Sequence, residues 1–318
     1  MAKFKTYLKY QDMQINFSDT NTSYQKQLLE SVIAPRPIGL VSTLDWEGNA
    51  NLAPFSFFNV VSVNPAILVF SPLRRIRNNT TKDTMENCWK VPEAVIHVVD
   101  YAHIQQVNLC ANEYGSEVDE FVKAGFTKQK AALVKPYMIQ EIGIKFECRI
   151  IGMKSFGDAG GAGMLCMAEV LAMHIEDQLL TAEKLVDGTK LSLVARMGED
   201  KYLRVTPSAM FTLPKSSRYG IGFDQLPTSI LSSTRLTANH LGLLASVPAI
   251  PPFRPEFSNI SLLCSLQEIP SAKRTEDIHD IARRMLDLGL IEEAWQVLLR
   301  EDVFVAEEEG LMVIDRMD

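Results

Sequence analysis

Through residues 38–175 the apolar positions fall in short runs that either alternate with polar ones or stay continuously hydrophobic. This is the pattern of half-buried and fully buried strands. Ile38-Gly-Leu-Val-Ser-Thr43 reads as a strand and Asn51 to Val63 as another, with Asp45-Trp-Glu-Gly48-Asn49 as the hairpin turn between them. Ala66-Ile-Leu-Val-Phe70 and Ala94-Val-Ile-His-Val-Val99 predict buried strands. Ile142 to Met153 and Met164 to Ile175 predict long ones, the latter apolar on both faces. Helical spacing is brief in this stretch. It covers Gln25 to Val32, ended by Pro35, then a helix starting over Lys82 to Asn87 with Thr80 or Thr81 as its N-cap, and Tyr101 to Ala111. Residues 1–24 predict a polar arm with a short strand, in which Asp19, Asn21 and Ser23 offer turn or cap chemistry. Strands joined by short turns favour a closed barrel over a parallel doubly wound sheet. The expected class is mainly β with peripheral helices.

The pattern changes near the end of the chain. Pro248-Ala-Ile-Pro-Pro-Phe-Arg-Pro255 predicts a stiff linker. Beyond it Thr275 can cap a helix with Ile278, Ile281, Ala282, Met285 and Leu288 on one stripe, ended by Gly289. Ile291, Ala294, Trp295, Leu298 and Leu299 form a second stripe, so a helical hairpin is expected. The expected domains are a barrel over 1–247, a Pro-rich linker over 248–271 and an acidic helical extension over 272–318. Both stripes must be buried somewhere, over a barrel edge, in a dimer or against a docking partner.

Charge sharpens this division. The net charge is −7, and from Ala272 onward six basic residues face thirteen acidic ones, which leaves the preceding part neutral. A neutral body argues against nucleic-acid binding, which needs a basic face. No apolar run approaches the roughly 20 residues of a membrane span. Met1-Ala-Lys-Phe-Lys-Thr lacks an apolar signal region. The five cysteines, Cys88, Cys110, Cys148, Cys166 and Cys264, are scattered and form no C-x-x-C pair. They fit free thiols in a reducing cytoplasm.

Candidate chemistry sits in the first third. Arg74, Arg75 and Arg77 precede Asn79-Thr-Thr-Lys-Asp-Thr84, which joins hydroxyls, an amide and cations at the start of a helix. Such a group suits a phosphate; it also suits a solvated basic loop capped by threonine. No Walker A glycines accompany it. In Asn51-Leu-Ala-Pro-Phe-Ser-Phe-Phe-Asn59, residues Leu52, Pro54, Ser56 and Phe58 share one face and Asn51, Ala53, Phe55, Phe57 and Asn59 the other. This reads as an ordinary aromatic strand, or as main chain pairing with the polar edge of a flat ring beside small Ala53 and Ser56. A ring and a phosphate together are what flavin mononucleotide (FMN) carries. The run Gly157-Asp-Ala-Gly160-Gly161-Ala-Gly163 is no dinucleotide fingerprint and suits a turn or a loop over a site. His174 is either structural or a weak catalytic candidate beside a redox ring. Arg196-Met-Gly198 and Tyr202-Leu-Arg204 are further ring- or phosphate-reading groups, with surface ion pairing the competing account of Arg204. No H-E-x-x-H, G-x-S-x-G or Cys/His ligand set appears.

Taken in order, Pro35-Arg-Pro-Ile-Gly-Leu-Val-Ser-Thr43, Asn51 to Asn59, Asn64-Pro65, Ser71-Pro72, Lys82-Asp-Thr84 and Val118-Asp-Glu-Phe121 resemble the flavin reductase-like family. Arg196-Met-Gly198 and Gly220-Ile-Gly222 to Asn239-His-Leu-Gly242 resemble its longer-chain branch, which includes flavoredoxins and nitrilotriacetate monooxygenase component B. The resemblance covers about residues 20–245 and says nothing of the acidic tail. It implies an FMN-binding split barrel, antiparallel and Greek-key, six-stranded and homodimeric. By position, Ser42, Thr43 and the Asn51, Leu52 and Ala53 backbone would meet the ring and ribityl chain. Ser71, Arg77, Lys82, Asp83 and Thr84 would surround the phosphate and ribityl oxygens, Ser56 would approach the polar edge, and Arg36 would join the cofactor set. The implied activity is FMN-dependent NAD(P)H:flavin oxidoreduction, with hydride passing from nicotinamide to flavin N5 and reduced flavin to a partner such as a monooxygenase. The alternative is a flavoredoxin-like FMN electron carrier without its own NAD(P)H activity. No single side chain is expected to be catalytic, because the flavin carries the chemistry.

Overall fold

The computed structural model describes residues 13–213, 219–254 and 271–300. The chain forms two compact units, Met1–Phe211 and Thr212–Asp318.

In the first unit, helix α1 (Thr22–Val32) begins where the Asn21 side chain accepts from the Tyr24 N–H, three residues before the expected start at Gln25. No strand forms among the described residues of the polar arm; Phe17–Asp19 is a short 3-10 turn. Then come β1 (Arg36–Pro37), β2 (Gly39–Leu44), β3 (Ala50–Phe55), β4 (Phe58–Val63) and β5 (Ala66–Phe70). Helix α2 (Asp83–Lys90), β6 (Glu93–Val98), α3 (Ile104–Leu109) and α4 (Glu120–Ala124) follow. After them lie β7 (Lys128–Gln129), β8 (Met138–Ile139), β9 (Ile144–Ser155), β10 (Met164–Ile175), β11 (Val194–Arg196) and β12 (Tyr202–Arg204).

The main sheet runs β3-β2-β6-β9-β10-β5-β4, antiparallel throughout. It has seven strands rather than the six implied by the resemblance, because Asn51 to Val63 is not one strand. The chain breaks at Ser56-Phe57, and β3 and β4 end on opposite edges of the sheet. The Phe57 carbonyl there accepts from the Ser71 N–H, at 2.9 Å. A smaller sheet runs β1-β11-β12, and β7 pairs with β8.

Alternation along β2 explains the two cores. Val41 turns inward with Phe55, Phe70, Ile96, Cys148 and Cys166. Leu40 and Leu44 turn the other way, where α3 and α4 cover them with Val107 and Phe121. Cys88, Cys110, Cys148 and Cys166 are all free and buried; Cys264 lies outside the described residues.

The second unit contains α5 (Thr228–Leu231), α6 (Ala238–Leu244), α7 (Ser271–Asp287) and α8 (Ile291–Leu298). Its core joins Leu226, Ile230, Leu241 and Leu244 to Ile278, Ala282, Trp295 and Leu298. That shared core is why the units part between Phe211 and Thr212, whereas the sequence placed the boundary at 247/248. It also shows what buries the two apolar stripes. Helix α7 starts at Ser271, so Thr275 lies within it rather than capping it. Leu286 is buried in place of Leu288, which stays exposed beside Gly289 at φ +77°. The described part of the proline segment is tied down: Gln296 on α8 donates to the Pro252 carbonyl (2.9 Å) and accepts from the Arg254 N–H (2.8 Å). Residues 255–270 and 301–318, which hold the rest of that linker and the end of the acidic extension, lie outside the described residues. Among the described residues no helix is long and apolar enough to cross a membrane.

Candidate functional site

A cavity of about 680 Å³ opens where the chain breaks between β3 and β4. Phe55 and Phe57 supply aromatic surface and Ser56 and Ser71 hydroxyls. The loop after β5 brings Arg74, Arg75 and Arg77, and the residue before α2 brings Lys82. Ser23, Lys26, Gln27 and Glu30 line it from α1, where their spacing puts them on one helical face. Five cations and three carboxylates (Glu30, Glu113, Glu199) border the cavity, a surplus of two positive charges.

Most of these cations have partners. Arg77 pairs with Glu113 at 2.5 Å and Arg75 with the same carboxylate at 3.5 Å. Arg75 also donates to the Thr80 hydroxyl and the Thr81 carbonyl, and Arg74 to Asn79. Lys26 pairs with Glu30. Lys82 is different: its half-buried ammonium makes no hydrogen bond or ion pair among the described residues and lies 5.2 Å from the centre of the Phe55 ring. Burial, and then the nearby Arg75 charge, push its pKa below the ordinary lysine value. Lys82 is the N-cap residue of α2 and makes no side-chain cap bond. The caps expected at Thr80 or Thr81 are not formed; the Thr81 hydroxyl donates to Glu86 instead.

A smaller pocket of about 80 Å³ shares Arg75, Lys82 and Glu113 with this cavity and adds Asn51, Ala53, Asp83, Thr84 and Glu120. Asn51 donates to the hydroxyls of Thr84 (2.9 Å) and Thr43 (3.2 Å), tying β3 to α2. Thr43 also accepts from Asn87. On β3, Leu52 faces Ser42 and Pro54 faces Leu40 in the non-bonded positions of the ladder, so their main chain points away from β2. Pro54 has no N–H, and the Leu52 N–H donates to buried Glu120 at 3.0 Å. Outward main chain here therefore offers carbonyl acceptors rather than free donors.

Of the residues named from sequence, Ser56, Ser71, Arg77 and Lys82 line the large cavity, and Asn51, Ala53, Asp83 and Thr84 the small one. Ser42, Thr43, Leu52 and Arg36 are buried behind them. The Ser42 hydroxyl is buried with no hydrogen-bond partner among the described residues. Arg36 spends its guanidinium on the Glu30, Ile33 and Met197 carbonyls, fastening the end of α1 to the turn before β12. His174 lines neither cavity; it bonds Glu147 at 2.6 Å, whose carboxylate also accepts three main-chain N–H groups from Ala132 to Val134.

The glycine run is the β9–β10 turn, and it backs the arginine loop. The Arg74 N–H donates to the Ala162 carbonyl and the Gly161 N–H to the Arg74 carbonyl, both at 2.9 Å. A Cβ at Gly160 would stand 3.0 Å from the Ile76 carbonyl oxygen and 3.1 Å from that of Arg75. Sequence reasoning missed Glu113, Glu199 and the α1 face, and named Glu120 only within the motif Val118-Asp-Glu-Phe121, without a role. The polar stripe Ser23, Lys26, Gln27 and Glu30 was the available signal for the last.

Residues 32–190, half of the chain, match the family model described as the flavin reductase like domain. An uncharacterized protein of Aquifex aeolicus (strain VF5) is 34% identical over 187 residues, covering 59% of this chain and 92% of that protein. Nitrilotriacetate monooxygenase component B from Bacillus cereus shares the fold with a TM-score of 0.60 at 24% identity, over 64% of this chain and 100% of its own. A Shewanella frigidimarina protein with a split barrel domain does so with a TM-score of 0.54 at 19% identity, over 64% of this chain and 100% of its own. An antiparallel barrel split between β3 and β4, with the family's sequence pattern over half the chain, places this protein in the flavin reductase-like family.

Proposed function

We propose that the protein is an FMN-dependent NAD(P)H:flavin oxidoreductase whose 680 Å³ cavity holds the flavin. The observation that carries this is Lys82. An unpaired, half-buried ammonium is costly unless an anion completes it. It sits beside an aromatic ring in a cavity with two surplus positive charges, the complement of a phosphate dianion on a planar ring system.

In this reading Lys82, with Arg77 and Arg75 behind it, holds the phosphate. Phe55 and Phe57 offer apolar surface to the ring, and Ser56 and Ser71 hydroxyls to its polar edge and the ribityl chain. A flavin held there would supply the redox chemistry, hydride acceptance from a nicotinamide. The protein's part is to bind, orient and exclude water. The protein acts as a homodimer in the cytoplasm and passes reduced flavin to a monooxygenase or another electron acceptor.

The test is the visible spectrum of the purified protein with FMN, before and after anaerobic NADH or NADPH. Bands at roughly 370 and 450 nm that bleach with nicotinamide support the reductase. Bands that persist favour a flavoredoxin-like carrier. A protein that neither carries nor binds FMN overturns the reading.

The glycine turn gives a further expectation. Gly160→Ala should push the Arg74–Ile76 main chain out of place and weaken FMN binding several-fold, read by flavin fluorescence titration. Unchanged affinity would show that the turn does not support the phosphate end.

A further inference from the structure

The pairs Arg196/Gly198 and Tyr202/Arg204 are not absorbed by the flavin cavity. Alternation along β11 and β12 puts Val194, Arg196, Tyr202 and Arg204 on one face of the hairpin, where Tyr202 stands opposite Arg196 and Arg204 opposite Val194. That face does not lie flat against the body. Between it, Tyr101 and helix α3 there is a separate cavity of about 410 Å³, within the range of small-molecule sites.

Its walls have a particular chemistry. The Arg204 guanidinium lies 4.0 Å from the centre of the Tyr101 ring, and that of Arg196 lies 4.9 Å from the Tyr202 ring. Each wall is thus an arginine–tyrosine stack. Arg196 is largely committed, donating to the Tyr202 hydroxyl (2.6 Å) and the Glu199 carbonyl (2.7 Å). Arg204 is not. Among the described residues only its Nε is used, on the Ser192 hydroxyl at 3.2 Å, and it forms no ion pair. Its two terminal nitrogens remain as a forked donor, held in place by Tyr101. Surface ion pairing, the competing account of Arg204, is therefore not what this residue does. The one carboxylate on the walls, Asp200, lies 3.8 Å from Arg196, so the cavity keeps a positive balance. Gln105 and Asn108 add side-chain amides from α3.

We propose that this cavity is a second ligand site, for a nucleoside monophosphate group. Tyrosine faces suit a base, the Arg204 fork suits a phosphate, and the amides suit ribose hydroxyls or base edges. The group can come from a free nucleotide or from the adenylate half of a nicotinamide donor. The turn between β11 and β12 makes the second source physically reasonable: it puts Glu199 in the flavin cavity and Asp200 in this one.

The experiment is calorimetric titration of the full chain with AMP, with adenosine and inorganic phosphate as separate probes. AMP is expected to bind at least about tenfold more tightly than either probe, because base and phosphate contacts act together. Arg204→Ala should weaken AMP by about tenfold, while Tyr202→Phe, which keeps the ring, should stay within about threefold. Amide shifts on AMP addition should fall on residues 104–108 and 194–204. No AMP binding at millimolar concentration, phosphate binding as tight as AMP, or an unchanged Arg204→Ala variant would each overturn the site. Displacement of AMP by NADH would identify the donor's adenylate as the source, and simultaneous binding would identify a free nucleotide. Either result sustains the site and neither depends on how the flavin cavity behaves.

Discussion

Replacing Lys82 by alanine is expected to weaken FMN binding roughly ten- to a hundredfold, the equivalent of about 1.5–3 kcal/mol for a hydrogen bond to a charged group. The wild-type ammonium has no hydrogen-bond or ion-pair partner among the described residues, so a bound phosphate gains its full interaction and no existing bond there is broken. The other cations cannot substitute well. Arg75 and Arg77 share Glu113, and Arg74 is held by Asn79. Lys82→Arg should recover part of the affinity, since charge is kept and geometry altered. The pH dependence has a definite sign. Burial and Arg75 lower the Lys82 pKa from 10.5, and a bound dianion stabilises the protonated form. Affinity is therefore full where Lys82 is charged and falls as pH rises through its lowered pKa. Lys82→Ala should lose that alkaline fall as well as the affinity. A variant with wild-type affinity and an unchanged pH profile would move the phosphate elsewhere.

Acidification is expected to destabilise the barrel through His97. This ring is fully buried on β6, with Nδ1–H donating to the Leu40 carbonyl (2.9 Å) and Nε2 accepting from the Ile139 N–H (2.8 Å). Only the neutral imidazole satisfies both bonds. A proton on Nε2 would face another donor. Burial brings the pKa down to about 4 from 6.5, with nearby Lys145 acting in the same direction. The unfolded chain thus binds the proton first. The stability due to neutral His97 is complete above pH 6.5 and lost as pH falls through about 4, to a total of about 3 kcal/mol. Urea midpoints measured from pH 7 to 4 should fall in the wild type and fall less in His97→Gln. In labelled wild type, the His97 ring resonances should stay at their neutral positions down to about pH 5. A ring that titrates near 6.5 would show that the buried bond pair does not hold.

Much of the architecture was legible because it follows from local periodicity. Ala66–Phe70 is where the apolar run put it, the β2–β3 hairpin closes at Asp45–Asn49, and β9 and β10 are the long strands expected. The ends and breaks were less legible. Asn51 to Val63 has the composition of one strand, and nothing in its alternation marks the break at Ser56-Phe57, which exists because β3 and β4 join opposite edges of one sheet. The domain boundary was misplaced for a related reason. Prolines at 248–255 look like a linker, but the residues before them share a hydrophobic core with α7 and α8.

By itself the sequence determined the longer strands of the main sheet, the cations of residues 74–84 and their closeness along the chain to an aromatic run, because each depends on neighbours along the chain. Tertiary structure alone decided which of those groups face open space. It spent Arg36 on the carbonyls of Glu30, Ile33 and Met197, buried Ser42, Thr43 and Leu52, gave the Leu52 N–H to Glu120, and left Lys82 without a partner among the described residues. It also turned Arg204 onto Tyr101 instead of onto a carboxylate. Whether a polar group is satisfied depends on residues far away in sequence, and local periodicity carries no record of them.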